Sequence, residues 1–379
     1  MPKTVLISAG EPSGDRYAAR LTRQLRLVWP GAVFFGSAGA EMRAAGVEAV
    51  VRSESLSVVG LAEVVTHLPR IHREYRRLVA AAAHRKPDFA VLADSPGFHL
   101  HIAKQLKKLQ IPVFYLIAPQ AWAWRSWRAK TLAATVRQLH CIFPFEEAWY
   151  RERGVDARYI GHPLAGEARP LFSRQEFMEK NRVPAGRPVV TLAPGSREGE
   201  IARHLPVLAE TVKRLAESLA PAVLCAAPQG ASRSLYQPLE ATGHVRLIFG
   251  ETRDALAHAD VVLGASGTVT TEAALLQTPV VAFYRVSPLT YAIGKPLVRI
   301  PFFTMVNLIA GRAVIEEYIQ DRMTPENLAA AVRALLCDPE KRARMKAELG
   351  EIKAILAAGH DPFEESARLI CASIQEDRS

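Results

Sequence analysis

Val189-Val190-Thr191-Leu192-Ala193-Pro194-Gly195-Ser196-Arg197-Glu198-Gly199-Glu200 begins as an apolar run and breaks into a turn of Pro, Gly and charged residues. Val189–Leu192 is too short for a helix core and has the unbroken apolar character of a strand covered on both faces. From Glu200 to Leu219 apolar residues recur at helical spacing. A strand, a glycine turn and a helix make one unit of a parallel α/β sheet.

The same rhythm extends in both directions. Downstream, Ala222–Ala226, Val245–Phe249, Val261–Gly264 and Val280–Tyr284 read as strands, with helices at Asp254–Ala259 and Thr271–Leu276. Upstream, Thr4–Ala9, Ala32–Gly36, Phe89–Ala93, Val113–Ile117 and Cys141–Phe145 read as strands. Helices are expected there at Arg16–Val28, Leu61–Ala83 with a break near Pro69, His99–Leu109 and Arg125–Arg137. No strand pattern survives between Gly161 and Arg187, which reads as a hinge. Beyond Met323 the pattern is helical, over Thr324–Leu336, Pro339–Ala358 and Pro362–Gln375. The expectation is two doubly wound Rossmann-like domains, residues 1–165 and 166–355, with a terminal helix in 356–379 packing back on the first.

A chain of 379 residues has room for two such domains, at roughly 150 residues each. Hydrophobic residues at 49% and charged residues at 23% exclude disordered, collagen-like and coiled-coil classes. The net charge of +10 favours an anionic partner, which could be nucleic acid, a nucleotide or an acidic membrane surface. Cys141, Cys225, Cys337 and Cys371 have no paired spacing, which argues against a zinc site or a disulfide framework and for a reducing cytoplasm. The longest uncharged stretch, Leu109–Trp124, contains Pro112 and Pro119 and falls short of the roughly 20 residues that span a bilayer. Membrane contact would therefore be peripheral, and no export signal is visible.

Ligands of open α/β sheets sit beyond the carboxyl ends of the strands. Three such loops stand out. Ala9-Gly10-Glu11-Pro12-Ser13-Gly14-Asp15 lacks the dinucleotide fingerprint and carries two carboxylates that would repel a pyrophosphate, so it suits sugar hydroxyls; the competing reading is a helix start with Asp15 complementing the dipole. Pro194-Gly195-Ser196-Arg197 offers free N–H groups and a guanidinium, a cradle for phosphate. Ser266-Gly267-Thr268, followed by Glu272, again opens a helix after a strand, with amides and hydroxyls for phosphate and a carboxylate for ribose. Two such loops in one domain indicate a nucleotide diphosphate, although turns of small residues also serve close helix–strand packing.

Asp94 closes the apolar strand Phe89–Ala93 and precedes Ser95-Pro96-Gly97. Partial desolvation there would raise its pKa toward that of a useful base, while capping a helix is the competing role. Pro119–Arg128 holds three of the five tryptophans beside Arg125 and Arg128, a loop that could stack on bases, line a sugar site, grip an anionic headgroup or simply pack. Val58, Leu61, Val65 and Leu68 fall near one helical face, and Arg70 and Arg73 begin a basic cluster. That pattern suits an interfacial helix on anionic lipid, or a helix that merely covers a sheet.

Taken in order, these motifs resemble the lipid-A-disaccharide synthase family over nearly the whole chain. The resemblance rests on AGEPSGD at Ala9–Asp15, LADSPGF at Leu92–Phe98, APQAWAWR at Ala118–Arg125, GHPL at Gly161–Leu164, PGSR at Pro194–Arg197 and SGTVTTEAAL at Ser266–Leu275. YRVSPLTY at Tyr284–Tyr291 and NLIAGR at Asn307–Arg312 complete it. His99 stands where the family commonly has Asn, and Ala118 where it commonly has Ser. The resemblance implies the GT-B fold with a cleft between an acceptor- and membrane-facing first domain and a UDP-sugar-binding second domain. It implies inverting, metal-independent transfer, without a cofactor, of 2,3-diacylglucosamine from its UDP derivative. The acceptor would be the 6-hydroxyl of 2,3-diacylglucosamine 1-phosphate. Carried over by position, Asp94 matches the essential aspartate, Arg197 the arginine of the phosphate loop, and Asn307 an asparagine beside the donor. Glu11 and Ser13 would hold sugar or acceptor groups. Both substrates are acylated, so the expected location is cytoplasmic and peripheral on the inner membrane, with no nucleic-acid partner; a homodimer stays open. The alternatives are another GT-B enzyme acting on UDP-N-acetylglucosamine, such as a peptidoglycan glycosyltransferase or a 2-epimerase, and a nonenzymatic nucleic-acid-binding protein.

Overall fold

A computed structural model of the chain describes residues 2–56, 61–296, 298 and 300–376. The chain forms two compact units, Met1–Pro163 joined by Ala358–Ser379, and Leu164–Ala357. In the first, strands β1 (Thr4–Ala9), β2 (Val33–Ala38), β3 (Glu48–Arg52), β4 (Phe89–Ala93), β5 (Val113–Leu116), β6 (Gln138–Cys141) and β7 (Ala157–Tyr159) lie in the order β3-β2-β1-β4-β5-β6-β7. Every pairing in that sheet is parallel. The second unit contains β8 (Val189–Ala193), β9 (Ala222–Ala227), β10 (Val245–Phe249), β11 (Val261–Ala265), β12 (Val280–Tyr284) and β13 (Glu317–Ile319) in the order β10-β9-β8-β11-β12-β13, also parallel. In each, the strand order reverses direction beside its first strand, at β1/β4 and at β8/β11. The doubly wound expectation therefore holds for both units.

Both faces of the first sheet are buried, which is why its central strands are apolar without alternation. Val5, Ile7 and Ala9 pack with Leu21, Leu25 and Ile370 on one side, and Leu6 packs with Leu78, Leu92 and Leu100 on the other. The terminal helix Pro362–Glu376 supplies part of the first layer. Phe363 is fully buried, its ring centroid lies 5.8 Å from that of Tyr17, and the Arg20 guanidinium sits 4.3 Å over it. Arg20 also pairs with Asp361 at 2.9 Å, and Arg137 donates to Ser373 Oγ and to its carbonyl, each at 2.6 Å.

Several local expectations are corrected. The strand expected at Cys141–Phe145 is Gln138–Cys141, and Pro144 instead opens the helix Pro144–Arg151. Polar Gln138 and His140 disguise the strand; both are buried because His140 bonds Ser366 Oγ at 2.7 Å and Gln138 Oε1 at 3.0 Å. The helix expected to break near Pro69 continues through it from Leu61 to Arg85. The stretch read as a hinge, Gly161–Arg187, largely belongs to the second unit: Leu171 and Phe172 donate their N–H groups to Asp254 Oδ1 at 2.8 and 2.9 Å, and Phe177 is buried in the core with Leu224 and Ile248. The three strands without a sequence signal, β3, β7 and β13, are short, and each includes charged residues.

Phe363→Ala removes the aromatic anchor of the terminal helix and should destabilise the first unit by roughly 3–5 kcal/mol. Denaturant unfolding followed by near-UV circular dichroism checks this; an unchanged midpoint would show that the helix contributes little.

Candidate active site

The parallel register of β1 with β4 pairs Ala9 with Ala93, so the chain leaves both strands at the same level. The two loops then pack against each other. A Cβ on Gly10 would lie 2.5 Å from Ser95 Oγ, so only glycine permits this approach. Helix Pro12–Val28 starts directly after the first loop, with Glu11 at its N-cap and Ser13 exposed in its first turn. Asp15 has a different task from the sugar contact expected of its loop. Its Oδ1 accepts from the N–H groups of Gly39 (2.7 Å) and Met42 (3.3 Å), and its Oδ2 from that of Glu41 (2.9 Å). The carboxylate is buried and satisfies the orphan amides at the start of helix Ala40–Ala44.

Asp94 and Ser95 take consecutive left-handed conformations, φ 55° and 46°, which are costly for side-chain-bearing residues and need outside support. That support comes from behind. The Asp94 carbonyl accepts from Tyr115 Oη and from His99 Nδ1, each at 2.7 Å, and its N–H donates to Leu116 O at 3.1 Å. His99 Nε2 lies 2.9 Å from Ser8 Oγ. Burial lowers the His99 pKa to about 4, so the ring is neutral near pH 7; it donates from Nδ1 and accepts the Ser8 hydroxyl at Nε2. The half-buried Asp94 side chain turns away from this scaffold. Its Oδ1 accepts from the Ser95 N–H at 2.7 Å, and its Oδ2 is 3.4 Å from Ser13 Oγ. Desolvation raises its pKa above the ordinary value, against the opposing effect of those two donors.

Next along the sheet, the chain leaving β5 carries the tryptophan loop. Trp122 donates from Nε1 to Glu146 at 3.0 Å, while Trp124 and Trp127 are exposed. Glu146 is wholly buried and its pKa rises to about 8, chiefly through desolvation. The loop thus divides between one packed tryptophan and two outward-facing ones.

In the second unit the switch point is again flanked by two loops. Arg197 is exposed at the N-cap of helix Glu198–Ser218, with Ser196 exposed beside it. Gly195 has φ 130°, and a Cβ there would meet Glu200 Oε2 at 2.9 Å. The loop is braced by His204, buried and 2.7 Å from the Pro194 carbonyl through Nδ1, whose Nε2 accepts from the Arg285 N–H at 3.1 Å. Glu200 Oε1 accepts from Tyr284 Oη at 2.5 Å. After β11, Ser266 Oγ donates to the Phe303 carbonyl at 3.1 Å, Gly267 and Thr268 are exposed at the start of helix Thr268–Leu275, and Glu272 is half-buried on it. Gly195, Ser196, Arg197, Ser266, Gly267 and Thr268 therefore gather at the carboxyl edge of one sheet.

Asn307 is different. It is 1% exposed, and its amide is fully engaged. Nδ2 donates to Ile315 O (2.9 Å) and Glu317 Oε1 (2.8 Å); Oδ1 accepts from the N–H groups of Val314 (2.8 Å) and Ile315 (3.0 Å). Glu317 in turn accepts from the N–H groups of Phe303 and Thr304, each at 2.9 Å. Asn307 thus ties the Val314–Ile315 segment that leads into β13 to the segment that receives the Ser266 hydroxyl. It also borders a cavity of about 820 Å³ whose other walls include Tyr291, Phe302, Arg344 and Glu348. None of the phosphate-loop residues lines that cavity.

Of the side chains expected at a membrane surface, Arg70 and Arg73 are exposed on helix Leu61–Arg85. Val58 and the side chains of Leu61, Val65 and Leu68 lie outside the described residues. Sequence reading missed the supporting shell of Ser8, His99, Tyr115, Glu200, His204 and Tyr284. The one available signal was polarity inside otherwise apolar segments, as with Ser8 in β1 and His204 in its helix.

Two doubly wound parallel units, each with loops collected at its switch point, define the GT-B class shared by glycosyltransferases and sugar-nucleotide epimerases. A crystal structure of UDP-GlcNAc 2-epimerase from Neisseria meningitidis bound to UDP-GlcNAc superposes with a TM-score of 0.61 at 12% identity, covering 98% of this chain and all of that one (100%). The calicheamicin glycosyltransferase CalG4 gives 0.60 at 16% identity, covering 98% of each chain. Within that class, a family model for lipid-A-disaccharide synthetase matches residues 5–371. The lipid-A-disaccharide synthase of Solibacter usitatus is 51% identical over 357 residues, covering 94% of this chain and 93% of that protein. That of Koribacter versatilis is 40% identical over 381 residues, covering 98% of each. The chain belongs to the lipid-A-disaccharide synthetase family.

Asn307→Ala should destabilise the second unit by on the order of 3 kcal/mol, because it leaves buried amides and the Glu317 carboxylate without their partner. Urea unfolding measures this. A variant of unchanged stability that has lost activity would mean that Asn307 acts directly on substrate rather than by positioning.

Proposed function

We infer that the protein forms a lipid A disaccharide by transferring 2,3-diacylglucosamine from its UDP derivative to the 6-hydroxyl of 2,3-diacylglucosamine 1-phosphate, releasing UDP. The observation that carries this reading is Asp94. A half-buried carboxylate of raised pKa, held by a rigid backbone at the switch point of the first sheet, suits a general base, and family membership supplies the reaction.

The acceptor O6–H proton passes to the Asp94 carboxylate as O6 bonds to the donor anomeric carbon. The bond from that carbon to the diphosphate oxygen breaks, its electron pair leaves with UDP, and the α-linked donor becomes a β-1,6 linkage. Ser13, 3.4 Å from Asp94 Oδ2, and Glu11 beside it are placed to orient the acceptor. In the second unit the N–H groups and hydroxyls of Gly195, Ser196, Ser266, Gly267 and Thr268 bind the diphosphate, with Glu272 on the ribose. Arg197 neutralises charge that grows on the leaving group, an interaction stronger in the transition state than in the ground state. Asn307 acts from behind by holding Glu317 and the segment that meets Ser266.

The test is to incubate the purified protein with the UDP-diacyl donor and the 1-phosphate acceptor without added metal and to look for disaccharide and UDP. No product where a positive control turns over would overturn the assignment. Asp94→Asn should lower kcat/KM by roughly 10²–10⁴-fold. Since the carboxylate must be ionised to accept a proton, wild-type kcat/KM should fall on acidification with a midpoint above 3.8, the ordinary Asp value, and Asp94→Asn should lose that limb.

Acylated substrates require access to a bilayer, and the pattern of Val58, Leu61, Val65 and Leu68 beside exposed Arg70 and Arg73 supports peripheral contact with the cytoplasmic leaflet of the inner membrane. Among the described residues, no helix is long and apolar enough to cross a membrane. Replacing Leu61, Val65 and Leu68 together by Ser should reduce co-sedimentation with anionic vesicles while leaving the thermal midpoint nearly unchanged; undiminished sedimentation would discard this surface.

A further inference from the structure

The chemistry assigned above makes no use of the buried Arg128 side chain. Arg128 is 9% exposed, and among the described residues it has no carboxylate partner, while its Nε is buried without any hydrogen-bond acceptor. An isolated buried cation is expensive, by several kcal/mol even after relaxation. The Trp127 ring, 5.8 Å from the guanidinium, is a weak aromatic partner and supplies no counter-charge. Arg125, three residues earlier, adds like-charge repulsion and has no carboxylate partner among the described residues; its guanidinium rests 3.8 Å over the Trp124 ring. The phenols of Tyr115 and Tyr150 are near enough to interact electrostatically with Arg128, but each has committed its proton to a carbonyl, of Asp94 and Pro119 respectively. Burial holds both phenols neutral, so neither supplies a counter-charge. Asp94, Glu11 and Arg128 all act on Tyr115 electrostatically, which places the two carboxylates and the guanidinium around one buried phenol.

A guanidinium largely withdrawn from solvent beside a second one, with no carboxylate partner among the described residues, suits an anion from outside, and its planar fork matches phosphate oxygens. Its location narrows the choice. The loop leaves β5, the strand adjacent to β4, and Tyr115 links the two by holding the Asp94 carbonyl. An anion held there would lie at the carboxyl edge of the sheet that carries the proposed base, in the unit without the proposed nucleotide loops.

We propose that Arg128, assisted by Arg125, forms an anion subsite that binds the phosphate monoester of the acceptor sugar. The subsite deepens the reading of the first unit as the acceptor side and rests on it. It makes the acceptor phosphate a handle by which the sugar is turned to present its 6-hydroxyl to Asp94, and it discriminates against acceptors that lack the phosphate. Trp124 and Trp127, both exposed, flank the site with apolar ring faces.

The experiment compares wild type with Arg128→Gln on 2,3-diacylglucosamine with and without its 1-phosphate. The expected result is a KM for the phosphorylated acceptor raised tenfold or more, unchanged KM for the donor, and near-complete loss of the preference for the phosphorylated acceptor. An equal loss on both acceptors, or a raised donor KM, overturns the subsite. If Arg128→Gln does not fold, Arg128→Lys and Arg125→Gln carry the same comparison, with a smaller loss of preference expected of each. A second arm needs no turnover. In an Arg197→Gln background, which disables the phosphate loop of the second unit, millimolar inorganic phosphate should raise the thermal midpoint, and adding Arg128→Gln or Arg128→Lys should diminish that rise. A phosphate shift that survives both replacements refutes the subsite. Should the wild type show no transferase activity while the phosphate shift obeys the prediction, the proposed reaction is refuted and the subsite stands.

Discussion

Ala9 and Ala93 are register partners on neighbouring parallel strands, and that pairing obliges two chain segments to leave the first sheet side by side. Much of the candidate chemistry of the first unit follows from it. Gly10 has no side chain because Ser95 occupies the space. The residues turning out of β4 must reverse sharply, so Asp94 and Ser95 enter the left-handed region, and the energy of that conformation is offset by Tyr115 and His99 gripping the Asp94 carbonyl. A carboxylate fixed in this way cannot relax toward better solvation, and its raised pKa follows from confinement.

The second unit repeats the architecture with a different purpose. Its loops present exposed Ser196, Arg197, Gly267 and Thr268 where the loops after β1 and β4 of the first unit bear Glu11 and Asp94. The bracing is analogous. His204 and Glu200 hold the β8 loop as His99 and Tyr115 hold the β4 loop, and in both units a neutral histidine bonds a carbonyl at the turn. Rigid support of this kind would keep the proposed reacting groups in place without the entropy cost of ordering them upon binding.

Charge in the first unit is less balanced than its ion pairs suggest. Glu74 is buried between Arg73 and Arg77, and Lys3 pairs with Asp88 at 2.8 Å, as the cost of burying charge requires. Arg128 departs from that pattern: among the described residues it has no carboxylate partner, which sets it apart from the paired charges. The buried histidines His99, His140 and His162, each with a pKa lowered to about 4 by desolvation, show the alternative response, which is to discard the charge. Arginine has no such option near neutral pH.

Sequence alone determined the two parallel α/β units, because strands buried on both faces must be apolar throughout and their crossover helices must repeat an apolar stripe. It also located Asp94, Arg197 and the Ser266 loop, since a polar or glycine-rich turn directly after such a strand emerges at the ligand edge. Tertiary structure alone decided which polar residues support others. Asp15, whose competing role in the sequence was to complement the dipole of its own helix, instead caps the helix Ala40–Ala44, and Asn307, placed beside the donor by resemblance, spends its whole amide on Ile315, Val314 and Glu317. The strand around His140 was hidden because its polar residues find partners such as Ser366, more than 200 positions away. Hydrophobic periodicity is local and survives in the one-dimensional chain. Whether a polar atom is free or engaged depends on groups that only folding brings within hydrogen-bond distance.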